Sequence, residues 1–313
     1  MSQLTRRGFL AASAIAPCLP AADKFNRTRL SVLTDEVGRN LADAIAFARR
    51  YQLSWVELRA ESGIDYYDRM PADRLKKTAS LLADSGLRVS FLNSALLKFT
   101  LPGTAPVRTE DFYENMYKSL GLTPEKMLAD RMDTLRRVLD AAQMLGTKQI
   151  RAFTFWRVDE PKTVFPKLRD ILLEMAEVAA KDKCKLLVEN ELACNMASSA
   201  ETADLLNMAQ HKALELNWDP QNSTEFESRV FPDGYSLLPR KRVANVQVKA
   251  EGLIGPGRKV DWVGIFRQLH NHGYTGLFGL ETHTLKGPEI NIPSSHASVK
   301  EIFRIWGETV PAL

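Results

Sequence analysis

Eight times between residues 30 and 281, a short apolar run rich in Val, Ile, Leu and Phe gives way to a longer segment of helical period. A strand that is apolar on both faces has to be covered on both, and repeated βα units do this by laying helices over a parallel sheet. The spacing predicts strands at Leu30–Thr34, Trp55–Leu58, Leu87–Leu92, Gln149–Phe153, Lys185–Glu189, Leu214–Trp218, Val243–Val248 and Leu277–Glu281. Amphipathic stretches between them include Leu41–Tyr51, Arg74–Ser85, Pro124–Leu145, Pro166–Ala180 and Val263–His270. Gly86 and Gly146 stand where two of these helices should end in a left-handed residue. Eight units imply one (β/α)8 barrel over residues 28–310; a doubly wound open sheet is the competitor, because strand order does not reveal closure. The segment Phe99–Leu122, with Pro102, Gly103 and Pro106, interrupts the rhythm after the third strand. It is expected to be an insertion, acting as a lid over the barrel mouth or lying as a solvated surface loop.

Residues 1–22 are a different kind of sequence. Arg6, Arg7, Gly8, Phe9 and Leu10 lead into a short Ala-rich apolar run without a carboxylate. The run is too short to span a bilayer, for which about 20 residues are needed, so no permanent membrane anchor is expected. The pattern is that of a twin-arginine export signal, with a periplasmic destination; a frayed basic terminus is the alternative. Of the formal charge of +4, Arg6 and Arg7 supply half. The remaining chain is nearly neutral and carries no electrostatic footprint for nucleic acid. Three Cys in 313 residues, without CxxC spacing, exclude a disulfide-stapled fold and a zinc finger. Neither GxGxxG nor GxxxxGK follows a strand. Oligomeric state is left open, a homo-oligomer included.

The later strands carry polar residues in phase. Asn245, Gln247 and Lys249 alternate with Ala244, Val246 and Val248, and Glu215, Asn217 and Asp219 alternate with Leu214, Leu216 and Trp218. Glu189 and Glu191 are in phase with Leu187, and Glu281 and His283 with Leu277 and Gly279. Inward and outward positions alternate along barrel strands, so four adjacent strands bring polar groups to one rim, the C-terminal mouth where catalytic groups gather. Three carboxylates converging there, Glu189, Asp219 and Glu281, require compensation. Either a divalent cation supplies it, or each carboxylate pairs separately with a neighbour such as Arg59, Arg151, Arg157 or Lys249.

The segments LTDE (33–36), WVELR (55–59), LLVENE (186–191), LNWDPQN (216–222), VQVKAE (246–251), GPGRKVDW (255–262) and GYTGLFGLETH (273–283) together resemble the sugar phosphate isomerase/epimerase family of xylose isomerase-like TIM barrels. The resemblance implies a divalent metal held by Glu189, Asp219 and Glu281, with a fourth ligand from the seventh strand. There the family's HVHVKD becomes Asn245, Val246, Gln247, Val248, Lys249, Ala250, so Gln247 stands for an imidazole. An all-oxygen set favours Mn2+ or Mg2+, with Co2+ or Zn2+ also compatible. It further implies proton transfer alpha to the carbonyl of a keto-sugar, with Glu189 and Glu281 as acid and base and an enediolate between.

Lys249 is expected either to stabilise the oxyanion or to form a salt bridge to Glu281 or Glu251. For substrate binding, Glu57 and Arg59 are expected as a polar pair at the mouth. Arg157 beside Trp156, Asn222 and His283 are further candidates, each also explicable as packing, a turn or a loop residue. Other functions on the same scaffold are a metal-dependent lyase or hydrolase on keto-glycosides and a non-catalytic exported sugar-binding barrel. A multi-zinc nuclease is disfavoured by the paucity of His, with none on the seventh strand.

Overall fold

The computed structural model describes residues 25–61, 65–255, 260–284 and 286–310. The export signal at 1–22 lies outside the described residues, as does part of the GPGRKVDW segment (256–259). Eight parallel strands form a closed barrel in sequence order. They are β1 (Leu30–Leu33), β2 (Trp55–Leu58), β3 (Arg88–Leu96), β4 (Gln149–Ala152), β5 (Lys185–Glu189), β6 (Leu214–Trp218), β7 (Val243–Val248) and β8 (Leu277–Leu280). The β8–β1 ladder, with Leu30 opposite Phe278 and Val32 opposite Leu280, closes the ring and excludes the open sheet.

Helices cover the outside because their apolar stripes match the outward strand residues. Helix Arg131–Leu145 buries Leu135, Val138, Leu139, Ala142 and Leu145, and ends at Gly146 with φ +76°, the left-handed geometry its missing Cβ permits. Ser198 and Glu201 form a reciprocal capping box on helix Ser199–Met208. The last helix, Pro288–Trp306, buries Val299, Ile302, Phe303 and Trp306. No helix of the described residues is long and apolar enough to cross a membrane.

Two local expectations are corrected. The stretch Pro124–Leu145 is two helices, Pro124–Ala129 and Arg131–Leu145, separated at Asp130. Strand β3 runs four residues past Leu92. Its extra residues Asn93 and Ser94 are polar, yet both find partners inside, Asn93 on Glu57 and Ser94 on the Arg151 carbonyl. The insertion after β3 is packed down: its helix Asp111–Ser119 buries Tyr113, Met116 and Tyr117, and Tyr66 donates to the Tyr113 hydroxyl at 2.9 Å. It walls one side of the mouth, with Glu110 paired to Lys98 at 2.7 Å and the Trp156 indole donating to Glu114.

A carboxylate cluster at the barrel mouth

Strand register places the polar face level by level. Glu189 lies opposite Asn217 across β5 and β6, Asn217 opposite Asn245 across β6 and β7, and Gln247 opposite Gly279 across β7 and β8. All of these side chains point inward, as their alternation requires, and each is at most 2 % exposed apart from the glycine.

The lower of two polar layers is centred on Glu57. This carboxylate is fully buried and, among the described residues, pairs with no cation; Asn93 Nδ2 (3.0 Å) and Gln247 Nε2 (2.9 Å) donate to Oε2, and Asn245 Nδ2 (3.2 Å) donates to Oε1. Gly279 makes room for it, since a Cβ there would collide with the Glu57 carboxylate and press on Gln247. Burial pushes the Glu57 carboxyl up and the three amide donors pull it back. Asn245 Nδ2 also donates to Asn217 Oδ1 at 2.9 Å, and Asn217 Nδ2 donates to Glu189 Oε2 at 2.7 Å. Each amide is thereby oriented by the next, from Glu57 round to Glu189. The expected pair of Glu57 with Arg59 does not form. Glu57 points down into the amide layer, while the Arg59 guanidinium reaches Asp35 (2.8 Å), Glu36 (2.9 Å) and Glu281 (3.0 Å).

The upper layer holds Glu189, Asp219 and Glu281, which present carboxylate oxygens within 4.8 Å of one another. Arg151 Nη1 donates to Glu189 Oε2 at 3.0 Å, and Lys249 Nζ lies 2.8 Å from Asp219 Oδ2 and 3.9 Å from Glu281 Oε2. Lys249 also donates to Asn222 Oδ1 at 2.8 Å. Its nearest anion is therefore Asp219; the Glu281 pairing expected from sequence forms at longer range, and among the described residues the one to Glu251 does not form. Burial pushes the Glu189 carboxyl up to about 7, against the pull of Arg151. Burial would raise Glu281 too, but Lys249, His283, Arg59 and Arg151 together hold it well below the usual carboxylate range. Burial opposes the charge on Lys249, and Asp219 and Glu281 outweigh it, so the ammonium stays protonated.

The donor set fits a divalent cation. Among the described residues, Glu281 Oε2 and Gln247 Oε1 are buried without a hydrogen-bond donor, and Asp219 Oδ2 is buried with the Lys249 ammonium 2.8 Å away. The connected cluster contains Asp35, Glu36, Glu57, Glu189, Glu191, Asp219 and Glu281 against Arg59, Lys98, Arg151 and Lys249. Among the described residues carboxylates outnumber fixed cations there, an excess that a buried site relieves with a proton or a further positive charge. Arg59, Arg151 and Lys249 thus pair with the three carboxylates, and the same carboxylates form a group that could hold an ion.

Of the remaining candidates, Asn222 lies in the cluster, its amide nitrogen 2.9 Å from the Asn190 carbonyl oxygen. His283 stands at the rim with φ +49°; its backbone N–H donates to Glu36 Oε2 at 2.7 Å and its ring Nδ1 lies 3.8 Å from Glu281 Oε1. Arg157 turns away, held by Glu201 at 2.7 Å and stacked over Phe226, and Trp156 is fully buried. Neither is placed to meet a sugar. Two functional neighbours escaped the sequence reading, Glu36 and Asn190. Both lie in quoted segments, Glu36 in LTDE and Asn190 in LLVENE; Asn190, the residue after β5 and out of phase with Glu189, holds the Asp219 backbone through a 2.7 Å contact at each end of its amide.

Residues 45–302 match the model of the xylose isomerase-like TIM barrel family. No curated protein matches the chain. Among solved structures, a D-allulose 3-epimerase from Methylomonas sp. superposes with a TM-score of 0.66 at 15% identity, over 90% of this chain and 98% of that one. The IOLI protein, solved with a bound zinc atom, has a TM-score of 0.65 at 13% identity, over 89% and 98%. A 3-keto-D-glucoside 4-epimerase from E. coli has a TM-score of 0.64 at 13% identity, over 87% and 99%. At these identities the likeness establishes the shared fold.

Proposed function

We propose that this chain, which belongs to the xylose isomerase-like TIM barrel family, is a divalent-metal-dependent sugar isomerase or epimerase. It would act on a keto-sugar by proton transfer at the carbon alpha to the carbonyl. The observation that carries this reading is the convergence of Glu189, Asp219 and Glu281 at the mouth, with oxygens within 4.8 Å.

Glu189, Asp219, Glu281 and the free Oε1 of Gln247 would hold the ion, an oxygen set that favours Mn2+ or Mg2+ over Co2+ or Zn2+. Bound there, a divalent ion would polarise the substrate carbonyl and acidify the adjacent C–H. Glu189 and Glu281 flank the substrate, one accepting the alpha proton and the other returning it. Return at the opposite face gives epimerisation, and return at the neighbouring carbon gives isomerisation through an enediolate. Lys249, kept protonated by its anions, stabilises the developing oxyanion, and Asn222 and His283 bind substrate hydroxyls. Arg59 and Arg151 fix the orientation of the two proton-transfer carboxylates, and the Tyr113 helix keeps water out of one side. The named activities of the two epimerases make keto-sugars and 3-keto-glycosides the first substrates to screen. Read as an export signal, the twin-arginine pattern at Arg6 and Arg7 would put this activity in the periplasm.

The test is solvent deuterium uptake into a keto-sugar. Glu189→Gln and Glu281→Gln should each abolish uptake with the circular dichroism spectrum unchanged. Persistent uptake in both variants would place the base elsewhere. Metal analysis after reconstitution should return Mn, Mg, Co or Zn bound to the native protein, and none bound would refute the metal-dependent reading.

A further inference from the structure

Polar atoms that are buried without a hydrogen-bond partner are rare, and each calls for a ligand, an ion or a water. In this protein several belong to the barrel mouth. Three others, Asp68 Oδ1, Tyr117 OH and Arg131 Nε, belong to residues lining a different place. That place is a cavity of about 640 Å3 outside the barrel wall, bounded by the end of β3, the insertion and helices Ala72–Asp84 and Arg131–Leu145. Its size is that of a small-molecule site.

Apolar, deformable side chains make up much of the rest of the lining, among them Leu75, Leu96, Leu97, Leu122, Met127 and Met144, beside further charged groups. Unbranched Met side chains adapt to a guest's shape. Leu97 holds φ +63°, a left-handed conformation that costs a leucine energy and is commonest where a ligand or clamp requires it. The cavity is separate from the mouth but shares two elements with it. Leu97 lines the cavity while Lys98 pairs with Glu191 at 3.6 Å, and Tyr117 lines it while Tyr113, one turn earlier, packs on Lys98.

We propose that this cavity is a second binding site, for an uncharged apolar molecule bearing a hydroxyl group. The wall carries three carboxylates and four cations, so net charge recruits neither an anion nor an ammonium. A hydroxyl answers the polar atoms present: it donates to the Asp68 carboxylate and accepts from the Arg131 guanidinium or the Tyr117 phenol. Its apolar body takes the Leu and Met walls. Nothing in this site is required for sugar chemistry at the mouth, so the inference stands or falls separately from the proposed function.

The probes are 4-propylphenol and its methyl ether, 4-propylanisole, which keeps the shape and loses the donor. Titration calorimetry on the full chain should give one 4-propylphenol site per chain, with the ether bound about tenfold more weakly, the factor one hydrogen bond supplies. Methyl resonances of 13C-labelled Met127 and Met144 should shift on saturation. Asp68→Ala should abolish the preference for the phenol, and Met127→Trp, which fills the cavity from its half-buried side, should abolish binding of both probes. Absence of binding, equal affinity for the two probes in the native protein, or unchanged phenol binding in Met127→Trp would each overturn the proposal.

Discussion

Replacing Glu57 by Gln tests whether the buried amide layer is organised by an ionised carboxylate. Three amide nitrogens converge on Glu57, at 2.9, 3.0 and 3.2 Å, and among the described residues no guanidinium or ammonium pairs with it. An acid or an amide at this place would present a donor to a donor. If the substituted amide keeps its oxygen toward Asn93 and Gln247, its amino group confronts Asn245 Nδ2. Turning the Asn245 amide over only moves the conflict, because its nitrogen then leaves Asn217 Oδ1; turning Asn217 as well aims an oxygen at Glu189 Oε2. The substitution therefore loses one charge-assisted hydrogen bond, worth about 1.5–3 kcal/mol, and weakens two others by about 1 kcal/mol each. Relief from burying an anion offsets part of this, leaving a net loss of roughly 2–4 kcal/mol. For a barrel of this size the melting temperature should fall by roughly 5–10 °C in calorimetry at neutral pH. In an Asn245→Ala background, where the opposing donor is gone, Glu57→Gln should cost about 1.5–3 kcal/mol less. Divalent-metal affinity should fall about 10- to 100-fold, because Glu57 is what turns the Gln247 oxygen free. A neutral or stabilising Glu57→Gln, or the same loss with and without Asn245, would show that Glu57 is protonated and that the layer is not ordered as described.

Gln247→His should retain a bound metal and shift preference toward Zn2+ or Co2+ in competition assays followed by metal analysis; loss of all metal would show that position 247 is not a ligand. Asp68 is pushed up by burial more than Arg69 and Arg137 pull it down, so the folded chain binds this proton more tightly than the unfolded one. Its contribution is fully present below about pH 4 and is lost as pH rises through the folded value, so Asp68→Asn should raise the neutral-pH melting temperature and flatten its decline above pH 4. Melting curves across that range check the sign, and a lower neutral-pH melting temperature for the variant would contradict it. Arg6→Lys together with Arg7→Lys should leave the protein in the cytoplasmic fraction, and unchanged periplasmic recovery would remove the twin-arginine assignment.

The eight-unit organisation and the inward phase of Glu189, Asp219, Gln247 and Glu281 were legible in the sequence, because both depend on local periodicities, about 3.6 for helices and 2 for strands. Gly146 as a left-handed helix end was legible for the same reason. Strand β3 was cut short because a polar residue looks the same in sequence whether it meets solvent or a buried partner, and Asn93 meets Glu57. The pairing of charges was legible only in part: Arg59, Arg151 and Lys249 were named as partners for the carboxylates, but not which would meet which. Glu57 and Arg59 are two residues apart, yet one joins Asn93, Asn245 and Gln247 and the other joins Asp35, Glu36 and Glu281. Lys249 chooses Asp219 over Glu251, and Arg157 leaves the mouth for Glu201. Those choices depend on which strands closure makes neighbours and on how deep each side chain sits. Sequence alone determined eight βα units with carboxylates in phase along the later strands; closure of the barrel, which strand order does not reveal, decided which of them meet a cation, which meet only amides, and which keep an oxygen free.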